Sequence, residues 1–485
     1  MTTVKRIARN ATLLLLAQIV GYALGFFYII YTARYLGAED FGVLSFALAL
    51  TAIFAILTDI GLQPLTVREV ARDKTLASKY LANLTFTKII LSVITFALIA
   101  IVINVMDYPI KTVATVYIVT LSILVTSFTT MIYSIFQAYE RMEFQSAGLI
   151  INSSIMLVGA IIAIKINLDV RAFAALYLLS STICLFYSIA IVRINFKEVF
   201  IGWLDLQLHI DPAFLRTTIK KAVPFGFGVF FVLMFYWIDS VMLSYIKGDA
   251  AVGWYNAPFR IVLVLLLIPQ SLIVALYPVM SKFYNTSEDS LTLSFQKSLK
   301  YLAMLGLPIG VAITLLAKQI ILLTFGQEYI NSVAPLQILV WSSVLIFVTM
   351  PFGNLLNCQN KQLVVTKVCG LYVPLNIILN LILIPRYSLI GAGIATVLTQ
   401  LFGSFLLVYW TLKVRSKIYD NKAIIILSKF LVSSLIMGLF ILYFQYLSLI
   451  IILPLAGLLY FLVLFIIKGI DSGDLTLLKS VIQRT

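Results

Sequence analysis

The chain has 485 residues, of which 62% are hydrophobic and only 11% charged, and it carries a formal net charge of +15. That leaves too little polar surface for a water-soluble fold. The basic excess is the mark of many nucleic-acid binders, but here the placement of the basic residues accounts for it without such a partner.

Apolar runs long enough to cross a hydrocarbon core of roughly 30 Å recur along the whole sequence, separated mostly by short polar breaks. Fourteen are predicted to span as helices: 11-33, 41-61, 81-105, 112-136, 146-165, 172-193, 223-246, 256-280, 299-323, 333-357, 363-384, 390-412, 423-446 and 448-467. The short segments of alternating polarity that build an outer-membrane barrel are absent. The first run follows Lys5, Arg6 and Arg9 and no small-residue cleavage site closes it, so it is expected to remain as a helix. Fourteen crossings put both termini on one side. With that side in the cytoplasm, 26 of the 35 Lys and Arg fall on inside segments or the run ends that adjoin them, 8 fall on outside segments or the run ends that adjoin those, and Lys88 is set apart within the third run. The bias predicts a multi-pass inner or plasma membrane protein with both termini cytoplasmic.

Between the sixth and seventh runs, residues 194-222 mix Phe196, Val199, Phe200, Trp203 and Leu204 with Lys220 and Lys221, as a segment lying on a membrane surface does. The expected organisation is an amino-terminal lobe over 1-193, this cytoplasmic amphipathic linker over 194-222, a second lobe over 223-412, and two extra helices with a tail over 413-485. Six spans precede the linker, so the second lobe also starts from the cytoplasm, as parallel repeats require. Gly37 to Gly42 after the first run is echoed by Gly248 to Gly253 after the seventh, and Pro64 with Arg68 by Pro278 with Lys282. The fold class is thus an all-α polytopic membrane protein with two pseudo-symmetric six-helix lobes.

Little of the remaining chemistry points elsewhere. Cys184, Cys358 and Cys369 lack metal-ligand or redox spacing and read as packing residues. His209, in the linker, is assigned no role. Gly226-Phe227-Gly228 and Gly391-Ala392-Gly393 lie in apolar runs without a Walker lysine and suit close helix packing, not nucleotide binding. Pro224, Pro258, Pro269, Pro308 and Pro351 are candidate bends. Asp239 is the informative carboxylate: deep in the seventh run, it needs a cation or a proton.

Several stretches resemble a known family. They are Arg34-Tyr35-Leu36-Gly37-Ala38-Glu39-Asp40-Phe41-Gly42, Asp59-Ile60-Gly61-Leu62 with Arg68-Glu69, Phe136-Gln137-Ala138-Tyr139-Glu140-Arg141, Ile238-Asp239-Ser240, Val252-Gly253-Trp254-Tyr255-Asn256-Ala257 and Ile390-Gly391-Ala392-Gly393-Ile394-Ala395-Thr396. In this order they are similar to the oligosaccharide flippases of the multidrug/oligosaccharidyl-lipid/polysaccharide (MOP) exporter superfamily. The resemblance implies two lobes around a central cavity, two added carboxy-terminal helices, and alternating access that carries a polyprenyl-linked oligosaccharide to the outer leaflet. It implies a monomer with membrane lipids and glycan-assembly enzymes as partners, no nucleic acid, no enzymatic activity and no cofactor other than sodium or a proton as coupling ion.

A phosphate-linked head group needs cationic side chains along its path, and Arg binds phosphate bidentately. Arg260, Arg34, Arg68 and Lys88 are the candidates; snorkelling or topological anchoring is the competing reading, and for Arg260 pairing with Asp239 or Asp249. The related lipid II flippases place a cavity arginine where Arg260 stands, and a sodium site at positions matching Asp239, Asn376, Asn380 and Thr396. Those relatives carry a second carboxylate at the position of Asn380, so the negative charge is reduced here. They also carry an Arg-Asp pair where this chain has Tyr28 and Ile29, which disfavours lipid II as cargo. Multidrug exporters of the superfamily commonly use a carboxylate in the first helix, where run 11-33 has none. A membrane glycosyltransferase or polymerase is the reading from another class, and the short outside loops carry few acids for it.

Overall fold

The computed structural model describes residues 3–206, 210–414 and 421–470, so His209 and most of the tail lie outside the described residues. Among them there are only helices and turns: α1 (Thr3–Ala55), α2 (Leu62–Arg72), α3 (Ala77–Val105), α4 (Ile110–Ala138), α5 (Met142–Lys165), α6 (Val170–Asn195), α7 (Lys197–Leu206), α8 (Pro212–Lys247), α9 (Asp249–Leu265), α10 (Leu267–Thr286), α11 (Glu288–Thr324), α12 (Val333–Cys358), α13 (Gln362–Val414), α14 (Asn421–Tyr443) and α15 (Leu449–Ile466). Among the described residues, twelve stretches are long and apolar enough to cross a membrane. Each of the fourteen predicted runs lies on one of them, because two stretches carry two runs apiece.

Those two are helical hairpins. At 53 residues, α1 and α13 are each far longer than a bilayer is thick. In α1 the break is Gly37 (φ 72°, ψ 178°). Before it, Tyr35 and Tyr28 lie against Phe173 and Tyr177 in the first turns of α6. After it, Asp40 pairs with Lys111 at the start of α4, and Asp59 meets Lys88 midway along α3. Both arms therefore leave Gly37 in the same direction. In α13 the break is Ser388 (φ 51°, ψ −130°). A Cβ built on Gly391 would lie 2.6 Å from the Leu383 carbonyl carbon, and one on Gly403 would overlap the Tyr372 ring.

Other helices stop on a single left-handed residue: Asp107 (φ 54°), Glu140 (56°), Asn167 (55°) and Asn360 (58°). The next amide then reaches back five residues, as Arg141 N to Phe136 O (2.8 Å) and Leu168 N to Ala163 O (3.0 Å), so carbonyls left over at the helix end are bonded. The prolines behave unevenly. Pro269 has no N–H for the Leu265 carbonyl, and α9 ends at Leu265, whereas Pro308 and Pro351 sit inside unbroken helices.

The chain forms two compact units, Met1–Asn256 and Ala257–Thr485. In the first, α4 packs against α1, α2, α3, α5 and α6, and α8 packs against α1 and α2. The core gathers Leu81, Leu84, Ile132, Phe136 and Trp203. In the second, α11 packs against α10, α12, α14 and α15. Phe430, Met437 and Ile441 of α14 meet Ile452, Ala456 and Tyr460 of α15 there, which fixes the two carboxy-terminal helices onto α11.

The segment after α6, expected to lie on the membrane surface, has its apolar residues Val199 and Trp203 buried against protein. Trp203 Nε1 donates to Thr85 Oγ1 (3.1 Å), Ser78 Oγ to the Val199 carbonyl (3.3 Å), and the Asp211 amide to Asn83 Oδ1 (3.0 Å). Lys79 Nζ lies 2.8 Å from Asp211. That ammonium, with the Phe214 amide, holds the Asp211 carboxyl below its usual range.

The sequence echo between the two halves has a structural counterpart within the first unit. Gly248 (φ 84°, ψ 173°) repeats the backbone of Gly37 almost angle for angle. Five residues after each turn stands a second glycine, and the two are packed reciprocally. A Cβ on Gly42 would lie 2.6 Å from the Asp249 carbonyl carbon, and one on Gly253 would lie 2.8 Å from that of Ala38. Each turn thus rests on the hole left by the other's missing side chain. Gly253→Ala is expected to separate the turns. A cysteine placed at Ala38, which is 3% exposed, should then react with a maleimide several-fold faster than in the parent; equal rates would show that the contact tolerates a methyl group.

Candidate functional site

Asp239 lies on α8, nine residues before the Gly248 turn, and is 2% exposed. The turn folds α9 back so that Asp239 and Ser240 face Tyr255 and Asn256. Tyr255 Oη donates to Asp239 Oδ2 (2.8 Å), and Asn256 Nδ2 donates to Ser240 Oγ (2.9 Å) and the Val252 carbonyl (3.2 Å). A buried carboxylate needs such donors, because removing it from water without them costs several kcal/mol. Nearer the turn, Asp249 accepts from Ser244 Oγ (2.6 Å) and Thr112 Oγ1 (3.4 Å), and Ser244 also bonds Tyr108 Oη (2.8 Å). This network ties α8 and α9 to the α3–α4 turn.

Lys88 is 1% exposed and does not snorkel. Its ammonium donates to the Thr58 carbonyl and to Asp59 Oδ1, both at 3.1 Å. Here α1 gives way to a 3-10 turn, Ile56–Thr58, and Lys88 holds the broken end. Asp59 also accepts from the Gln63 amide (3.3 Å) and so starts α2. The pairing was foreshadowed in the sequence by two opposite charges inside the second and third apolar runs. Asp59 had stood only within a motif of the resemblance, and Tyr255 likewise.

The other predicted cations lie on α1, α2 and α9. Arg34 is exposed, three residues before Gly37. Arg68 is exposed on α2 and grips Glu69 through Nε (3.0 Å) and Nη2 (2.7 Å). Arg260 is half-buried on α9, two residues past Pro258.

Asn376, Asn380 and Thr396 are all buried on α13. The hairpin register set by Leu383 with Gly391 and Tyr372 with Gly403 puts Thr396 level with Asn380, and Thr399 level with Asn376. Asn380 Nδ2 donates to Asn376 Oδ1 (2.9 Å), and Thr396 Oγ1 donates to the Ala392 carbonyl (3.0 Å). These three supply oxygens but no charge, one oxygen is already engaged, and Asp239 belongs to the other compact unit. Among the described residues no three His, Cys, Asp or Glu gather as a metal site. By itself the α13 set offers a hard cation neutral oxygens only, without a carboxylate to balance its charge.

Removing one partner of a fully buried ion pair costs about 3–5 kcal/mol, and less where the group left behind, here Asp59 at 25% exposure, can reach water. Lys88→Met is expected to lower thermal stability in detergent accordingly, and Asp59→Leu added to it should recover most of the loss. An unaltered melting temperature in the single variant would mean that Asp59 is neutral or hydrated.

With the fold and these constellations established, comparison with known proteins is informative. The family described as "Polysaccharide biosynthesis protein" matches residues 7–284, more than half of the chain, and the family described as "MatE" matches 224–382. The chain is 25% identical over 403 residues, 81% of each chain, to the "Probable low-salt glycan biosynthesis flippase Agl15" of Haloferax volcanii. It is 23% identical to the "Capsular polysaccharide biosynthesis protein CapF" of Staphylococcus aureus over 400 residues, 81% of this chain and 96% of the relative. Among solved structures, the fold is similar to "Lipid II flippase MurJ, inward closed conformation", with a TM-score of 0.74 and 15% identity over 95% of this chain and 99% of that one. An inward-facing multidrug resistance MATE family transporter of the MOP superfamily gives a TM-score of 0.68 at 15% identity, over 82% and 95%. The chain belongs to the polysaccharide biosynthesis protein family and has the fold of the MOP superfamily of transporters.

Proposed function

We propose that this protein is a flippase that moves a polyprenyl-(pyro)phosphate-linked oligosaccharide from the cytoplasmic to the outer leaflet, for cell-surface polysaccharide or glycoprotein assembly. The family match and a glycan-flippase relative over four-fifths of the chain support the cargo class. The observation that carries the mechanism is the reciprocal seating of the Gly37 and Gly248 turns. Two turns of the same backbone, one from each half of the sequence, close on one another and are tied by Tyr108, Ser244, Asp249 and Thr112. Such a contact can seal one end of a pathway and part to open it, which is the behaviour alternating access requires.

The cargo's lipid tail can stay in hydrocarbon while its phosphates need cations, and Arg260, Arg34 and Arg68 are the proposed head-group contacts. Both termini are placed in the cytoplasm of an inner or plasma membrane by the charge bias. Coupling is assigned to Asp239, the buried carboxylate held by Tyr255, with a sodium ion or a proton as the coupled species.

The decisive experiment is depletion in the native host. A lipid-linked oligosaccharide of unchanged glycan composition should accumulate on the cytoplasmic leaflet, whereas an altered glycan would indicate a transferase. In proteoliposomes, Asp239→Asn is expected to abolish the response of transport to imposed sodium and pH gradients while head-group binding persists. Gradient-driven transport at the parental rate would reject the assignment. Arg260→Gln should weaken pyrophosphate binding about tenfold or more, the worth of one or two charge-assisted bonds; unchanged affinity would make Arg260 a structural residue.

A further inference from the structure

Between α1 and α2 the chain passes through two residues in the left-handed region, Ile60 (φ 46°) and Gly61 (φ 82°). Such a φ is a genuine outlier for a β-branched residue, and strain of this kind is retained where the surroundings over-determine it. Beside this break lies a cavity of about 290 Å³, lined by the α1–α2 junction, α4 and α8. That volume is at the small end of the range for specific ligand sites, roughly 300–1,000 Å³.

The charge that this cavity presents is decided by the burial of the ion pair. Lys88 is 1% exposed behind the junction, whereas the Asp59 side chain is 25% exposed and forms part of the wall. A phosphate entering here would meet a carboxylate, with the balancing ammonium already bonded on the far side. A metal cation would share a carboxylate with an ammonium 3.1 Å away. Both ionic classes are therefore disfavoured, and an uncharged ligand that donates hydrogen bonds is favoured.

The rest of the wall has the matching chemistry. Thr126 donates to the Ser122 carbonyl (2.8 Å), Ser127 to Leu124 (2.7 Å) and Thr130 to Ser127 (2.9 Å). With their protons turned inward, these three hydroxyls offer oxygen lone pairs to the cavity. The Gln63 side chain, also in the wall, makes no hydrogen bond among the described residues and has both a donor and an acceptor to offer. Pro64, Ile123, Val229 and Leu233 supply apolar surface beside this polar set. A pyranose has the same division, with hydroxyl groups at its rim and C–H groups on its faces.

We propose that this cavity binds one neutral sugar residue of the cargo glycan, with Asp59, Thr130 and Gln63 recognising its hydroxyl groups. The proposal rests on the flippase reading for its cargo. It places recognition of the sugar at a position separate from the cations assigned to the phosphates.

The test uses the full chain in lipid nanodiscs with two kinds of probe, a panel of neutral methyl hexosides and N-acetylhexosaminides, and inorganic pyrophosphate. Gln63→Leu and Thr130→Val keep side-chain volume and leave the Lys88–Asp59 pair intact, and an unchanged melting temperature verifies the fold. At least one glycoside should receive saturation transfer from the parent protein, with affinity falling about tenfold in Gln63→Leu and several-fold in Thr130→Val. Pyrophosphate affinity should not change in either. The proposal is overturned if no glycoside binds the parent, if both variants bind it as the parent does, or if pyrophosphate displaces the glycoside or loses affinity in Gln63→Leu. The flippase reading fails separately: it falls if the depleted host accumulates no lipid-linked oligosaccharide, whatever these binding curves show.

Discussion

Hydrocarbon gives a backbone amide or carbonyl nothing to bond, so a chain in a membrane must satisfy these groups within its own helices and at their ends. The architecture follows from that constraint. Helices are joined by tight turns in which one left-handed residue lets the next amide cap the preceding helix, and the same economy turns α1 and α13 into hairpins at Gly37 and Ser388. Where α1 gives way to a 3-10 turn, at Ile56–Thr58, a buried ammonium is brought to the carbonyl of Thr58. Lys88 therefore has a structural task that arises from the backbone.

Charged groups inside the apolar spans fall into two situations with different consequences. Lys88 and Asp59 are opposite charges in direct contact, and the pair contributes a fixed polar feature to the adjoining cavity. Asp239 instead has a neutral hydroxyl, that of Tyr255, among its partners. A phenol can donate to a carboxylate but does not bring the positive charge that an ammonium brings. In the proposed function Asp239 is the coupling residue, and the cavity beside Asp59 recognises the sugar.

The near-identity of the Gly37 and Gly248 turns gives the repeat a mechanical meaning. Neither turn could approach the other with an ordinary side chain five residues on, because the space is occupied by a backbone carbonyl. Polar side chains from the α3–α4 turn and from α8 surround the same point, so its closure is held by directional bonds as well as by fit. Contacts of this kind are bistable: they are made fully or not at all, which suits an element that alternates between closed and open.

Composition, run length and charge placement were enough to establish from the sequence that the chain is an all-helical membrane protein, because the solvent tolerates little else; all fourteen apolar runs lie on helices of the structure. The local repeat around Gly37 and Gly248 was legible too, since only a special backbone conformation and a close approach call for glycines at that spacing. What the sequence could not supply was partnership across distance. That Lys88 faces Asp59 instead of the membrane surface, that Tyr255 serves Asp239, that Trp203 packs on α3 instead of on lipid, and that Thr396 stands level with Asn380 all depend on which helix faces are brought together. Hydropathy marks a side chain as buried or exposed to lipid, but it carries no information about the neighbour, and it is the neighbour that determines whether a buried charge braces the fold or remains available for transport.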